Sequence, residues 1–213
     1  MSKLAPWLTD PVLAKRTATF ALEAFPDVDL SKLRILEPSA GEGALVEALV
    51  DLGVPVSSIT AVELHSGRVK HLRRAWPGLR VIHRDFLSWV EDLYEDGGPT
   101  EPPFDLAVMN PPYDDGQDSD HVEGASVVSK QVIAIVRSAF RHGSTDRARL
   151  FSECSLLRER ILRARPSFID AEEGKDGTPR HEFEVLHLAR RFGREPGFSR
   201  EKFPVDLVET GWW

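Results

Sequence analysis

Short apolar runs alternate with helical patterns along most of this 213-residue chain. The runs are rich in Ile, Val and Leu, and the stretches between them repeat their apolar residues at intervals of three and four. This alternation is typical of βαβ units in a mostly parallel sheet. The length is sufficient for one α/β domain with a full core. We therefore expect a single domain over residues 1–213, with a mostly parallel sheet and helices on both faces.

The pattern also predicts where the elements lie. Asp10 and Pro11 are typical of a helix N-cap and a first helical residue. The predicted strands in the first two thirds of the chain cover residues 33–36, 59–63, 79–83, 104–109 and 131–136. The predicted helices there cover residues 11–25, 42–52, 65–76, 86–94 and 120–130. Beyond them, the spacing predicts a helix over 147–163 and short strands over 167–169 and 183–188, which we interpret as an antiparallel edge.

The tetrapeptide Asn110-Pro111-Pro112-Tyr113 directly follows the apolar run 104–109. These residue types are unsuited to a core and suit a rigid pocket for a planar group that carries an amine. The Asn110 side-chain oxygen and the Pro111 carbonyl could accept from the two N–H bonds of an exocyclic amine as it becomes a nucleophile. The prolines restrict the backbone and so aim that carbonyl in advance. Tyr113 could stack on a base that has been taken out of a helix.

A second motif, Glu37-Pro38-Ser39-Ala40-Gly41-Glu42-Gly43, follows the first predicted strand. Its glycines allow a ligand to approach the backbone closely, and Gly41 can adopt a positive φ. The helix after it would direct its N-terminal amides into the site, which would also suit a phosphate. Glu37 and Glu42 would repel a phosphate, so the motif favours a sulfonium cation that carries an ammonium group.

Two further strand ends carry acidic residues. Glu63 ends the second predicted strand, 22 residues after Gly41, where a carboxylate can accept hydrogen bonds from ribose hydroxyls. Asp85 ends the third, where it could accept from an adenine amine while Phe86 packs on the ring. Together with Glu37 after the first predicted strand, these residues place acids at three successive strand ends. This arrangement indicates a nucleoside-containing cofactor.

Together these motifs resemble the S-adenosylmethionine-dependent adenine-N6 DNA methyltransferases, in the class whose cofactor motif precedes Asn-Pro-Pro-Tyr. The segment Arg165-Pro166-Ser167-Phe168, followed by the strand near 182–188, resembles small phage-encoded members. The resemblance implies a Rossmann-like class I methyltransferase fold, with a seven-stranded sheet whose last strand is antiparallel. It implies S-adenosyl-L-methionine as the cofactor and DNA, methylated at adenine N6, as the substrate. Its implied catalytic residues are Asn110, Pro111, Pro112 and Tyr113. Its implied cofactor-binding residues are Thr9, Glu37, Pro38, Ser39, Ala40, Gly41, Gly43, Glu63, Leu64, Asp85, Phe86 and Asn110.

The chain departs from that family in two ways. We see no separate target-recognition domain, so recognition of a target sequence could require a partner chain, and a monomer and a dimer are both compatible with the sequence. The segment after the tetrapeptide is acidic and would repel phosphates, which is consistent with a mobile lid or with another route for the substrate. Its acidic residues are Asp114, Asp115, Asp118, Asp120 and Glu123.

Charge and cysteine content limit the other properties. The net charge is −7, but residues 126–213 contain 16 Lys and Arg against 13 Asp and Glu. The arginines there form either a basic stripe for phosphates or solvated helix faces; they are Arg137, Arg141, Arg147, Arg149, Arg158, Arg160, Arg163 and Arg165. With Cys154 as the only cysteine and no apolar run long enough for a bilayer, we expect a cytoplasmic protein without a disulfide, a metal site or a membrane span.

Other functions remain open from sequence. The same tetrapeptide would serve adenine in RNA or the planar amide of a protein glutamine. A catalytically silent methyltransferase fold that serves as a binding subunit is a further alternative, although this chain retains both motifs.

Overall fold

A computed structural model describes residues 7–95, 99–113, 116–141, 145–162, 168–170, 176–177 and 182–191. The strands are β1 (Trp7–Thr9), β2 (Ile35–Glu37), β3 (Ile59–Glu63), β4 (Arg80–His83), β5 (Phe104–Met109), β6 (Ser129–Arg137), β7 (Cys154–Ile161), β8 (Phe168–Asp170), β9 (Asp176–Gly177) and β10 (Phe183–Arg190). The α-helices are α1 (Pro11–Leu22), α2 (Ala44–Asp51), α3 (Ser66–Ala75), α4 (Phe86–Tyr94), α5 (Gln117–Val128) and α6 (Thr145–Glu153).

Seven of these strands form the central sheet, in the order β4-β3-β2-β5-β6-β10-β7. The first five strands in this order are parallel to one another. β10 is antiparallel to both β6 and β7. The predicted α/β fold with a mostly parallel seven-stranded sheet is therefore confirmed. The strand predicted near 183–188 is antiparallel, but it lies inside the sheet because β7 forms the edge.

The sheet is covered on both faces, which explains why its central strands β2, β3 and β5 are almost entirely buried. Successive residues of a strand point to opposite faces, and β5 shows this directly. Leu106 and Val108 belong to one buried cluster, with residues of α1, α2 and α3. Ala107 and Met109 belong to the other, with residues of α4, α5 and α6.

Aspartates cap two of the helices, and the first of these caps was predicted from sequence. The Asp10 carboxylate accepts hydrogen bonds from the Val12 and Leu13 amides at the start of α1, over 2.9 and 3.2 Å. Asp85 accepts from the Ser88 amide over 3.0 Å at the start of α4. Within the described ranges, no helix is both long and apolar enough to cross a membrane.

The helix predicted over 147–163 is wrong beyond Glu153. There the chain becomes β7, which pairs with β10 and has a register shift opposite His187 and Leu188. Such an irregularity displaces the two-residue alternation of a strand, so the local spacing resembled that of a helix. The decisive interaction is the pairing with β10, about thirty residues further along the chain, which local spacing does not reveal.

A small second sheet, with the order β1-β8-β9, was not predicted as such. β1 pairs antiparallel with β8, which places Thr9 opposite Phe168 and Leu8 opposite Ile169. Three residues are too few to show a strand pattern, so β1 was missed. β8 corresponds to the strand predicted over 167–169. The tryptophans at 212 and 213 and most of the charged segment 171–180 lie outside the described residues.

Candidate active site

The candidate site lies where the chain reverses its order of strands. From β2 the chain proceeds outward through β3 and β4, and from β5 it proceeds outward in the opposite direction. Neighbouring parallel strands that diverge in this way leave a crevice at their carboxyl ends, which is where open α/β sheets bind ligands. The glycine motif follows β2 and the tetrapeptide follows β5, so the fold brings the two predicted motifs together.

The glycine loop between β2 and α2 has a defined shape. Gly41 has a φ of 56° and Gly43 a φ of 89°, a region that favours glycine. The Gly41 amide donates to Glu63 Oε2 over 2.8 Å. A Cβ atom at Gly43 would lie 2.6 Å from the Trp76 ring, so this glycine is required for α2 to pack against the end of α3.

Glu63 is largely buried and supports the loop with both carboxylate oxygens. Oε2 accepts from Gly41, and Oε1 accepts from the His65 amide over 2.6 Å. Each oxygen has a second lone pair. The side chain could therefore still accept hydrogen bonds from ribose hydroxyls, its predicted role.

Glu37 is the most buried acidic residue of the glycine motif, with a relative exposure of 2%. Its Oε2 atom has no hydrogen-bond partner among the described residues. Burial and the nearby Glu63 carboxylate raise the pKa of Glu37 well above its usual range. A cation placed beside Oε2 would stabilise the charged carboxylate and so lower this pKa.

A cavity of about 420 Å³ opens beside the glycine loop. Three carboxylates contribute to it, from Glu37, Glu42 and Glu47, and Trp76 provides an aromatic surface. Of the predicted cofactor residues, Thr9, Glu37, Ser39, Ala40 and Gly41 line the cavity. The others lie outside its lining: Pro38, Gly43, Glu63, Leu64, Asp85, Phe86 and Asn110. An acidic cavity with an aromatic wall suits an organic cation.

The residues predicted to surround the cofactor's adenine are in different environments. Leu64 is 52% exposed and could pack on a planar ring. Phe86 is buried between α4 and α5, where its ring centroid lies 5.5 Å from that of His121. Asp85 has one oxygen engaged as the N-cap of α4. The Phe86 ring already belongs to the core. Its packing on the adenine ring of a cofactor stays a prediction.

Asn110 is held by three hydroxyl groups, two from other segments and one from its own tetrapeptide. Its backbone carbonyl accepts from the Ser39 hydroxyl over 3.0 Å. Its Nδ2 atom donates to Thr9 Oγ1 over 2.9 Å. Its Oδ1 atom accepts from the Tyr113 hydroxyl. Thr9 therefore contacts the tetrapeptide as well as the cavity, and the Ser39 and Tyr113 contacts were not predicted.

Tyr113 turns its ring toward the core. The centroid lies 5.4 Å from that of Phe183, at an interplanar angle of 73°. The Arg137 guanidinium carbon lies 5.7 Å from the centroid. Burial and the Asp118 carboxylate raise the pKa of Tyr113 well above its usual range, so the hydroxyl keeps its proton. Stacking on a base, the role predicted from sequence, stays untested.

The arginines that suggested a basic stripe are paired with carboxylates where their side chains are described. The pairs are Arg137–Asp118, Arg141–Glu159, Arg141–Glu184, Arg149–Glu123, Arg158–Glu23 and Arg160–Glu23. Arg158 and Arg160 belong to β7 rather than to a helix face. This pairing disfavours both sequence interpretations, a basic stripe and solvated helix faces. The side chains of Arg147, Arg163 and Arg165 lie outside the described part.

Comparison with known proteins starts from sequence. No family model matches the chain. A stretch of 75 residues, 35% of the chain, is 36% identical to the mycinamicin-resistance protein MyrB of Micromonospora griseorubida. The stretch covers 23% of that protein, so the chain spans less than a quarter of the length of this curated relative.

Solved structures resemble the chain over most of its length. The methyltransferase subunit of a type I restriction-modification system from Streptococcus thermophilus has a TM-score of 0.61 at 16% identity, and the match covers 87% of this chain and 45% of that one. TrmN from Thermus thermophilus has a TM-score of 0.57 at 18% identity, over 85% and 49%. The 23S rRNA methyltransferase ErmE has a TM-score of 0.56 at 21% identity, over 87% and 70%. At these identities the comparisons establish the fold alone, which is a Rossmann-like α/β fold that the chain shares with these methyltransferase structures.

Proposed function

We propose that this chain transfers a methyl group from S-adenosyl-L-methionine to the exocyclic amine of a nucleic-acid base, specifically to N6 of adenine in DNA. The observation that carries the proposal is the hydrogen bond from Ser39 to the Asn110 carbonyl. It joins the glycine loop to the tetrapeptide at the point where the strand order reverses. A cofactor on the loop and an amine at the tetrapeptide would therefore be neighbours.

The residues around the glycine loop fit this cofactor. Glu37 has a buried oxygen without a partner in the described structure, and it lines the acidic cavity. That oxygen would bind the positive charge of the cofactor, and Glu63 would accept from its ribose hydroxyls. Leu64 would cover one side of its adenine. When bound, the cofactor supplies an electrophilic methyl group on a sulfonium.

Asn110 supplies the chemistry on the acceptor side. An exocyclic amine must withdraw its lone pair from the ring before it can attack, and hydrogen-bond acceptors aimed at its N–H bonds favour that change. Asn110 Oδ1 has a second lone pair free of the Tyr113 contact, and the Pro111 carbonyl is held by two prolines. These acceptors stabilise the positive charge that develops on the amine more than they stabilise its ground state. The proton leaves the amine after the methyl group has been transferred.

RNA is the second candidate substrate. The structural similarity to ErmE, described as a 23S rRNA methyltransferase, supports it. The similarity to a restriction-modification methyltransferase subunit supports DNA instead. The site chemistry is the same for both, because N6 of adenine is identical in the two nucleic acids.

Mass spectrometry of nucleosides tests the proposal. DNA and RNA would be purified from cells that express the chain and from cells that express the Asn110→Ala variant. We expect N6-methyladenine in DNA only from the cells that express the wild-type chain. N6-methyladenine in RNA alone would mean that the substrate is RNA and not DNA. Its absence from both, or equal amounts with Asn110→Ala, would contradict the proposed function.

A further inference from the structure

The segment 64–84, which contains α3 and β4, is strongly basic. It has six Lys and Arg and no Asp or Glu, in a chain whose net charge is −7. Acidic residues occupy 34 of the 213 positions, so a run of this length without one stands out from the rest of the sequence. The excess of negative charge therefore lies on other parts of the molecule.

The basic residues of α3 share one side of the helix. Lys70, Arg73 and Arg74 are three and four residues apart, which makes them neighbours on the helix surface. All three are exposed, whereas Val69 and Leu72 form the buried side of α3. The outer side of this helix is therefore a positive surface.

The positive surface continues onto β4. The Arg73 guanidinium donates to the Val81 carbonyl over 3.1 Å, so the basic side of α3 borders β4. β4 lies at one end of the strand order, and its first residue, Arg80, is exposed. We call Lys70, Arg73, Arg74 and Arg80 the basic edge.

The charge of the basic edge is not neutralised within the described ranges. No carboxylate there forms an ion pair with Lys70, Arg74 or Arg80, and Arg73 bonds a backbone carbonyl. By contrast, the arginines that suggested a basic stripe pair with carboxylates where their side chains are described. The basic edge can therefore attract an anionic partner.

We propose that the basic edge binds the phosphate backbone of the nucleic acid whose base is methylated. This inference rests on the proposed function, because it takes nucleic acid as the methyl acceptor, and it adds the surface that holds the phosphates. The cavity beside the glycine loop and the segment after the tetrapeptide are acidic and repel phosphates. The backbone must therefore be held away from both, and clustered Lys and Arg side chains are the groups that bind it.

The distance from the basic edge to the tetrapeptide is compatible with this role. β4 is separated from β5 by β3 and β2, which corresponds to about 14 Å at the usual spacing of strands. Successive phosphates of one DNA strand are about 3.4 Å apart along the helix axis. The basic edge would thus contact phosphates about four nucleotides or more from the target base.

Other reasons for positive charge account for only part of the basic edge. The helix dipole favours cations near a helix C-terminus, which explains Arg73 and Arg74 in the last turn of α3. Charge on an edge strand prevents its association with other strands, which explains Arg80. Neither reason explains Lys70, which lies four residues before Arg74 and is repelled by it.

Salt-dependent binding tests the inference. A fluorescent DNA duplex and an RNA duplex of the same sequence would be titrated with the protein at about 50 to 200 mM KCl, without cofactor, and followed by fluorescence anisotropy. The test variant is Lys70→Gln/Arg74→Gln, which changes two exposed side chains. The matched control is Lys15→Gln/Lys32→Gln, which removes two exposed charges from other surfaces.

We expect the slope of log affinity against log salt to become shallower by about two in the test variant, because each lost phosphate contact removes about one. Affinity should fall to a similar extent for different base sequences, since phosphates carry no sequence information. The control variant should match the wild type. Binding of either duplex through the basic edge supports the inference, and the duplex that binds more tightly identifies the nucleic acid.

Three results would overturn the inference. The first is a test variant with the same slope and affinity as the wild type, and the second is wild-type binding that does not depend on salt. The third is binding of phosphatidylserine vesicles in place of both duplexes, which would assign the basic edge to a membrane surface.

Kinetics distinguish failure of this inference from failure of the proposed function. We expect the test variant to raise KM for the nucleic acid at least about tenfold and to keep the wild-type kcat, because the basic edge is distant from Asn110. If the test variant methylates with wild-type KM, the inference is wrong and the proposed function stands. If the duplexes bind through the basic edge and no base is methylated, only the proposed function fails.

Discussion

The Ser39 hydroxyl donates a hydrogen bond to the backbone carbonyl of Asn110 over 3.0 Å. The two residues are 71 positions apart, and they meet because β2 and β5 are neighbours in the sheet. Ser39 also lines the acidic cavity. One side chain therefore links the proposed cofactor site to the proposed acceptor site.

Removal of that link should impair turnover. We expect Ser39→Ala to lower kcat about fivefold, because a lost hydrogen bond of about 1 kcal/mol would leave the tetrapeptide less firmly placed. Transfer of a tritiated methyl group would measure the effect. Ser58→Ala is a matched control, since Ser58 also donates to a backbone carbonyl, that of Ser31, at 3.2 Å and away from the site. Equal turnover of the Ser39 and Ser58 variants would contradict the prediction.

Gly43 and Gly53 allow two reasons for a glycine requirement to be separated, namely backbone strain at a positive φ and lack of space for a Cβ atom. Both have a φ near +90°, so Gly53→Ala should cost about 1 kcal/mol of unfolding free energy from backbone strain alone. A Cβ at Gly43 would also lie 2.6 Å from the Trp76 ring, whereas at Gly53 it would meet nothing within 4 Å. We expect Gly43→Ala to cost a further 1–3 kcal/mol or so from overpacking, measured by urea unfolding. Equal losses would mean that Trp76 yields without cost.

Glu37→Gln should affect stability and cofactor affinity in opposite directions. The raised pKa means that the folded state binds the Glu37 proton more tightly than the unfolded state does. The resulting stability is fully present below about pH 4.5 and is lost as the pH rises through the folded-state pKa. At pH 8 the glutamine variant should therefore unfold at a higher temperature than the wild type, with the gap closing toward pH 4.5. Calorimetry at pH 8 should show weaker cofactor binding, because the carboxylate that would balance the cation is gone; a variant that binds as tightly as the wild type would refute that role.

Glu184 predicts a further pH dependence, away from the site. Burial raises the pKa of this carboxyl group to about 7, with the neighbouring Glu159 adding to the effect and Arg141 opposing it. Its contribution to stability is present below pH 4.5 and is lost by about pH 7, and its full size is roughly 3 kcal/mol. Glu184→Gln should flatten the dependence of unfolding free energy on pH between 4.5 and 7, measured by urea titration at several pH values. Glu91→Gln on the exposed side of α4 controls for the loss of one charge, and an identical slope in both variants would count against the prediction.

The sequence alone predicted the larger part of the fold. The strands at 59–63 and 104–109 and the helix at 86–94 were placed at their observed bounds. The two strands were recognisable because both faces of the sheet are buried there, so most of their residues are apolar. The segment 154–161 was misplaced because a register shift interrupts its alternation and its partner strand is distant. β1 escaped notice because three residues carry no pattern.

The two motifs were likewise evident in the sequence, since glycine, proline and a polar amide at a strand end are local features. The two motifs lie close together only because β2 and β5 are neighbours in the sheet. The direction of the Tyr113 hydroxyl and the contact of Thr9 with Asn110 were also decided there. Both depend on side chains that meet across about twenty to a hundred residues of chain, at distances that only the packed structure determines. Local pattern thus determined the strands and the chemistry available at their ends, whereas long-range packing determined which of those groups can act on one another.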